Sequence, residues 1–233
     1  MYYVMGDPLD PKAPGNLWRT ADSWPPPATE TPYYLRDGGR LLPDAPSAGE
    51  SPQIYAYDPK DPVPTRGGAN VYLPAGPMDQ RCVEDRPDVL LFTTPVLEEP
   101  LEVTGRVKVL LWASSSAVDT DFTAKLTDVY PDGRSLLLLD GILRARHRET
   151  MEREDFMEPG RIYRFEIDLW STSIIFNKGH HIRVAISSSN FPRFDANPNT
   201  GAQSWDEKNP IVAKNTIYHD AEHPSHILLP VCH

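Results

Sequence analysis

Serines are the residues able to do nucleophilic chemistry in this sequence, and none sits in a setting that would activate it. A hydrolase serine of the α/β type needs a strained strand-to-helix elbow, usually Gly-x-Ser-x-Gly. The nearest match, Ala45-Pro46-Ser47-Ala48-Gly49, has Ala for the first Gly and lies in a proline-rich stretch with no apolar run before it and no helical pattern after it. It reads as a chance match. Ser114–Ser116 and Ser187–Ser189 closely follow alternating apolar runs, and read as small polar residues at strand ends. His219, Asp220, Glu222, His223 and His226 fall within eight residues, and imidazole plus carboxylate is zinc-binding chemistry. Pro224 and the lack of helical periodicity rule out a His-Glu-x-x-His face, and the spacing matches no usual ligand pattern. Exposed loop histidines are therefore expected, and no metal or cofactor is assigned. Asp119 and Asp121 have the chemistry for acid–base work or calcium, but the expected role is pairing with an arginine or capping backbone amides.

One segment stands apart. Ser189–Gly201 (SNFPRFDANPNTG) interleaves Phe191 and Phe194 with Asn190, Arg193, Asp195, Asn197 and Asn199. A long loop with anchoring aromatics and locally bonding polar side chains is either a packed Ω-type loop, pinned by Arg193 and Asp195, or a contact surface. These seven residues are the candidate interface or binding loop. No catalytic residue is nominated.

The elements around these residues are strands. Val103, Val107, Val109 and Leu111 alternate with Glu102, Thr104, Arg106 and Lys108. Tyr163, Phe165, Ile167 and Leu169 do so against Arg164, Glu166 and Asp168, and Ile182, Val184 and Ile186 flank Arg183 in the same way. Successive side chains leave a strand on opposite faces, so this period marks half-buried strands. Strands are expected at 2–5, 89–94, 101–113, 121–130, 134–147, 161–170, 180–188 and 226–231. Pro131-Asp132-Gly133, Glu158-Pro159-Gly160 and Asn177-Lys178-Gly179 punctuate them as Gly-ending turns. Helical evidence is confined to one or two turns within Arg148–Phe156. Many strands without a βαβ rhythm imply an all-β, two-sheet antiparallel sandwich of jelly-roll kind.

Eighteen of the 25 prolines fall in the first 100 residues. Proline lacks an amide donor, so residues 1–88 are expected to be loop-dominated with short edge strands, leaving 89–233 as the strand-rich part of a single domain. Tyr33, Tyr34, Leu35, Ile54, Tyr55 and Tyr57 suggest that the first part packs over a neighbouring surface.

Composition narrows the partners. Twenty-three basic against 33 acidic residues give a net charge of −10, which argues against nucleic acid and anionic membranes. No apolar run approaches the ~20 residues of a membrane helix. Cys82 and Cys232 lie far apart and read as two ordinary thiols, in keeping with a reducing cytoplasm.

The stretches Ala75–Glu84 (AGPMDQRCVE), Leu101–Leu126, Asp128–Arg146 (DVYPDGRSLLLLDGILRAR), Ser187–Gly201 and Tyr218–Ser225 (YHDAEHPS) carry a resemblance, as do Val4-Met5-Gly6-Asp7, Trp18-Arg19 and Trp24-Pro25 near the start. In this order they resemble the C-terminal domain of the X-prolyl dipeptidyl-peptidase family, which also includes cocaine-esterase-type hydrolases, α-amino-acid ester hydrolases and glutaryl acylases. The resemblance covers nearly the whole chain. It implies a galactose-binding-like jelly roll packed on an α/β-hydrolase domain and walling its cleft. It further implies that the Ser, Asp and His of the triad lie upstream, so no position here inherits a catalytic role. The chain then reads as a fragment or truncated gene product, inactive alone on small acyl substrates. The Pro- and Tyr-rich part and the Ser189–Gly201 loop are the expected contact with the catalytic domain.

Two rivals remain. One is a stand-alone carbohydrate- or peptide-binding module using exposed aromatics, for which Trp18, Trp24, Trp112, Trp170 and Trp205 are candidates. Of these, Trp112 and Trp170 are expected at strand ends, in core or interface packing. The other rival is a self-associating structural domain, a homo-oligomer formed through exposed apolar surface.

Overall fold

The computed structural model describes residues 1–10, 12–204 and 208–232. Strands form at β1 (Tyr2–Val4), β2 (Leu17–Arg19), β3 (Thr29–Arg36), β4 (Arg40–Leu42), β5 (Gln53–Tyr57), β6 (Leu90–Thr93), β7 (Leu101–Ser115), β8 (Asp121–Val129), β9 (Ser135–Arg144), β10 (Tyr163–Phe176), β11 (His181–Ser187), β12 (Ala213–Tyr218) and β13 (His226–Cys232). Among the described residues the helical content is the four-residue α1 (Arg81–Glu84) and two 3-10 turns, Asp37–Gly39 and Ala145–His147. The fold is all-β, as the alternation predicts. Arg148–Phe156 forms turns and extended loop instead of helix, and the helical turn lies just before it.

β1 and β2 pair with each other, while the other strands form one path, β5-β12-β7-β13-β3-β4-β6-β11-β8-β9, with β10 also pairing with β7. All pairings between strands are antiparallel except β4 with β6, a single parallel pair at Arg40 and Thr93, so the sheet is mixed. The path folds into two layers. Phe122 of β8 and Phe165 of β10 meet with ring centroids 4.7 Å apart, although their strands are not neighbours in the sheet. Val103, Val107, Val109 and Leu111 of β7 join Ile182, Val184 and Ile186 of β11 in this core. Each such side chain stabilises by roughly 1.5–3 kcal/mol when buried. That is why the alternating positions hold the register.

Three expectations need correction. Residues 1–88 do contribute an interior strand: β3 lies between β13 and β4, with Pro32 opposite Leu228. On β13 itself, Pro230 coincides with an irregularity in the β7 pairing between Leu228 and Val231, the kind of disruption at which a missing ladder donor is tolerated. β12 was not expected because Asn215, buried between Ala213 and Ile217, interrupts its apolar face. Trp170 neither ends a strand nor enters the core. It sits where the β10–β7 register shifts, at φ 70°, and is 75% exposed.

β8 is buried along its whole length. Phe122, Ala124 and Leu126 face the core. Lys125 and Thr127, on the opposite face, are covered from the proline-rich part: Lys125 Nζ donates to Gln80 Oε1 at 3.1 Å, and Ser135 Oγ bridges Thr127 and Glu84.

Candidate functional site

Two pairs of residues spaced i, i+2 meet behind the Ser189–Gly201 loop. Asp121 opens β8 opposite Arg144 at the end of β9, and the guanidinium holds the carboxylate through both oxygens, at 2.9 and 3.0 Å. Two residues away on each side, Asp119 accepts from the Arg146 amide and Nε, each at 2.9 Å. Asn197 Nδ2 then bridges Asp119 and Asp121, at 2.8 Å to each. Burial works against the Arg144 charge, but Asp121 and Asp195 outweigh it and hold its pKa above the ordinary range. Asp119 and Asp121 thus have the arginine-pairing role expected of them. The matching arginine spacing, Arg144-Ala145-Arg146 after an apolar run, is the sequence signal that would have revealed their partners.

The seven candidate loop residues divide by exposure. Asn190, Asn197 and Asn199 are buried, while Phe191 and Asp195 are exposed and Arg193 and Phe194 lie between. Asn190 and Arg193 both bind the Asp140 carboxylate. Asn199 Nδ2 donates to Ile211 O at 2.7 Å. The Arg193 guanidinium also stacks over Phe194, 5.0 Å from the ring centre. Asp195 accepts from Ser204 Oγ and Arg144; these bonds outweigh its burial and hold its carboxyl below the usual range.

The proline-rich part is laced to this loop. Phe191 N donates to Val63 O at 2.9 Å, and Thr65 N donates to Phe191 O at 2.6 Å. Beyond Thr65 a second loop is pinched shut by the Gly68–Gly76 pair, and Asn70 bonds Gly67 O and Leu73 N across it. Gly68 sits at φ 85°, a conformation that residues with a Cβ rarely adopt, and a Cβ there would also crowd Arg193 Nη1. At the tip Val71 and Tyr72 are 86% and 96% exposed. The two segments expected to contact a partner are therefore contiguous. Alongside lies a cleft of about 250 Å³, with Asp121, Arg144 and Asp195 facing Ile142, Met151 and Phe194.

The serines are occupied structurally. Ser114 pairs with Tyr218 OH, Ser115 and Ser116 accept backbone amides, Ser187 pairs with Thr123, Ser188 with Tyr55, and Ser189 accepts the Val63 amide. Ser47 lies on an exposed loop without strand or helix around it. The histidines are not the exposed set expected. His219 is fully buried, His223 packs edge-on to Trp112 at 5.3 Å, and His226 packs against Tyr34 at 5.2 Å. Asp220 caps the Glu222 and His223 amides. Trp18 and Trp24 are exposed, Trp112 is half-buried, and Trp205 lies outside the described residues. Both cysteines are free thiols.

Fold and site together define a β-sandwich whose polar loop residues are spent on its own architecture, with Val71, Tyr72 and Phe191 exposed at its loop tips. The chain belongs to the family of X-Pro dipeptidyl-peptidase C-terminal non-catalytic domains, whose sequence profile matches residues 3–228. It is 48% identical over 227 residues to the cocaine esterase of Rhodococcus sp. (strain MB1 Bresler), covering 92% of this chain and 40% of that protein. A solved α-amino acid ester hydrolase superposes with a TM-score of 0.87 at 34% identity, covering 93% of this chain and 39% of its own. An aminopeptidase from a marine sediment Thaumarchaeota archaeon gives 0.86 at 31%, covering 94% and 39%. The chain thus spans about 40% of the length of these relatives.

Proposed function

We propose that this chain acts as a single accessory domain that packs on the α/β-hydrolase domain of a serine hydrolase and walls its active-site cleft. Nucleophilic attack and acyl-enzyme hydrolysis would belong to that other domain. The observation that carries the reading is the preformed apolar loop tip: Val71 and Tyr72 project into solvent from a pinched, internally bonded loop beside the exposed Phe191. An aromatic anchor on a loop whose backbone is already tied loses less freedom on docking than one on an open chain. The length of the relatives supports a further domain as its partner, with esters, amides or X-Pro peptides as substrates of the whole. Two free thiols support a reducing, cytoplasmic setting.

The test uses the chain alone and with the α/β-hydrolase domain of the same protein. Alone, it should show no turnover of a small acyl ester. With the domain it should form a complex on size exclusion, weakened at least tenfold by Tyr72→Ala combined with Phe191→Ala. Turnover by the chain alone, abolished by a serine-directed acylating reagent, overturns the proposal. So does a stable homodimer that leaves no affinity for the hydrolase domain.

A second reading rests on a separate aromatic surface. Tyr2 lies 5.4 Å from Trp24, ring centre to ring centre, and both line a cleft of about 430 Å³ that includes Asp22 and Ser23, while Tyr3 lies 5.3 Å from Trp18 away from that cleft. Exposed indole faces with neighbouring polar groups suit a sugar ring. A saturable change in tryptophan fluorescence on glycan titration supports this reading; the accessory-domain reading expects none.

A further inference from the structure

The fold leaves one buried imidazole unused. His219, just after β12, is fully enclosed, and neither ring nitrogen has a hydrogen-bond partner among the described residues. A neutral imidazole carries one donor and one acceptor, and protein interiors rarely leave both unmet. Its Nδ1 points to Glu50 Oε2 across 3.6 Å. That separation is long for a hydrogen bond. It is close to the spacing of two ligands on one tetrahedral ion, since metal–ligand distances of ~2.0–2.2 Å set ligand atoms about 3.3–3.6 Å apart.

A third ligand comes from another part of the chain. One ligand atom each from Asp37, Glu50 and His219 lies within 4.8 Å of the others. Asp37 begins the turn Asp37–Gly39 between β3 and β4, Glu50 follows β4, and His219 follows β12, so only the tertiary fold brings them together. Glu50 is already oriented: its Oε1 accepts from Arg36 Nε at 2.5 Å and its Oε2 from the Asp37 amide at 2.9 Å. Burial opposes its charge, but these donors outweigh it and keep the carboxyl below the usual range. Such supporting contacts fix ligand geometry in metal sites. Phe92 backs the imidazole edge-on at 6.0 Å, and the half-buried Asp37 opens the cluster toward solvent.

We propose that Asp37, Glu50 and His219 bind one divalent transition-metal ion of the zinc class, with water completing the tetrahedron. Calcium and magnesium favour all-oxygen shells, whereas imidazole selects zinc, copper, nickel or iron. The ion acts as a clip, tying the β3–β4 turn and the Glu50 segment to the connection between β12 and β13. The neighbouring Arg36 charge tempers its affinity. This inference is independent of the accessory-domain reading.

The test titrates the chelator-stripped chain with Co²⁺, then Zn²⁺. One Co²⁺ per chain should give the visible absorption of a tetrahedral site, Zn²⁺ should displace it, and Zn²⁺ should raise the melting temperature. Asp37→Asn and His219→Gln should each weaken binding by at least the roughly 10–100-fold that loss of an outer-shell partner costs, while His223→Ala and His226→Ala leave it unchanged. Asp37 is half-buried at the surface, so its variant serves even if the His219 variant fails to fold. Absence of both the Co²⁺ band and the zinc-dependent shift overturns the proposal, as does undiminished binding by Asp37→Asn.

Discussion

Arg146→Ala tests whether the Ser189–Gly201 loop is held by a buried charge network or merely rests against the sandwich. The Arg146 side chain is 1% exposed and Asp119 0%. Besides Asp119, the guanidinium donates to Glu154 Oε1, Gly201 O and Ala202 O, each at 3.0 Å. Truncation leaves Asp119 buried with only the Arg146 amide and Asn197 as donors. It also frees two carbonyls at the end of the loop. Breaking a buried ion pair from one side costs about 3–5 kcal/mol, because the remaining charge is left uncompensated. With roughly 2–4 °C of melting temperature per kcal/mol for a domain of this size, the expected drop is about 6–20 °C. Denaturant unfolding should show the same loss as a lower midpoint. Hydrogen exchange should accelerate at residues 197–202 before the rest of the sheet. Asp119→Asn combined with Arg146→Met should cost less than the two single changes summed, because neither partner is then stranded. A loss below about 1 kcal/mol for Arg146→Ala, the scale of an exposed ion pair, would refute the reasoning.

Gly141→Ala would place a Cβ 2.3 Å from the Asp168 carbonyl and 2.9 Å from Leu169 Cδ2; forcing β9 off β10 should cost about 1–3 kcal/mol, read from the urea midpoint. Burial pushes the His226 pKa below its ordinary value, against the Pro224 carbonyl bond that favours the charged ring. The unfolded chain then binds more protons between the depressed folded pKa and the unfolded value near ~6.5. Stability should therefore fall as pH drops through that window. His226→Gln should flatten that part of the stability–pH curve, and an unchanged slope would rule out this group as its source.

Different parts of the chain were legible for different physical reasons. Over 103–109, 163–169 and 182–184 apolar residues alternate with polar ones, so strand and face could be read locally, but β10 runs on to Phe176, past its expected end at 170, where consecutive apolar residues erase the period. The Gly-ending turns at 131–133 and 177–179 follow from backbone chemistry in the same way. β3 was hidden by Pro32, because a missing amide argues against an interior strand until the partner strand is known. β12 was hidden by Asn215, whose burial is made tolerable by Ser188 Oγ at 2.8 Å, a residue far away in sequence. The loop at 189–201 could be recognised as unusual, but not which of its polar residues turn inward. That depends on Asp121 of β8, Asp140 of β9 and Asp119 in the loop leading into β8.

From its sequence alone, this protein is an all-β chain of recognisable family, with no activated nucleophile in its serine motifs. These follow from periodicity, turn residues and ordered motifs, all written along the chain. The tertiary structure alone decided that the proline-rich part covers the polar face of β8, that Val71, Tyr72 and Phe191 are exposed on adjoining loops, and that His219 meets Asp37 and Glu50. Burial and electrostatic pairing depend on distances between residues that sequence leaves far apart.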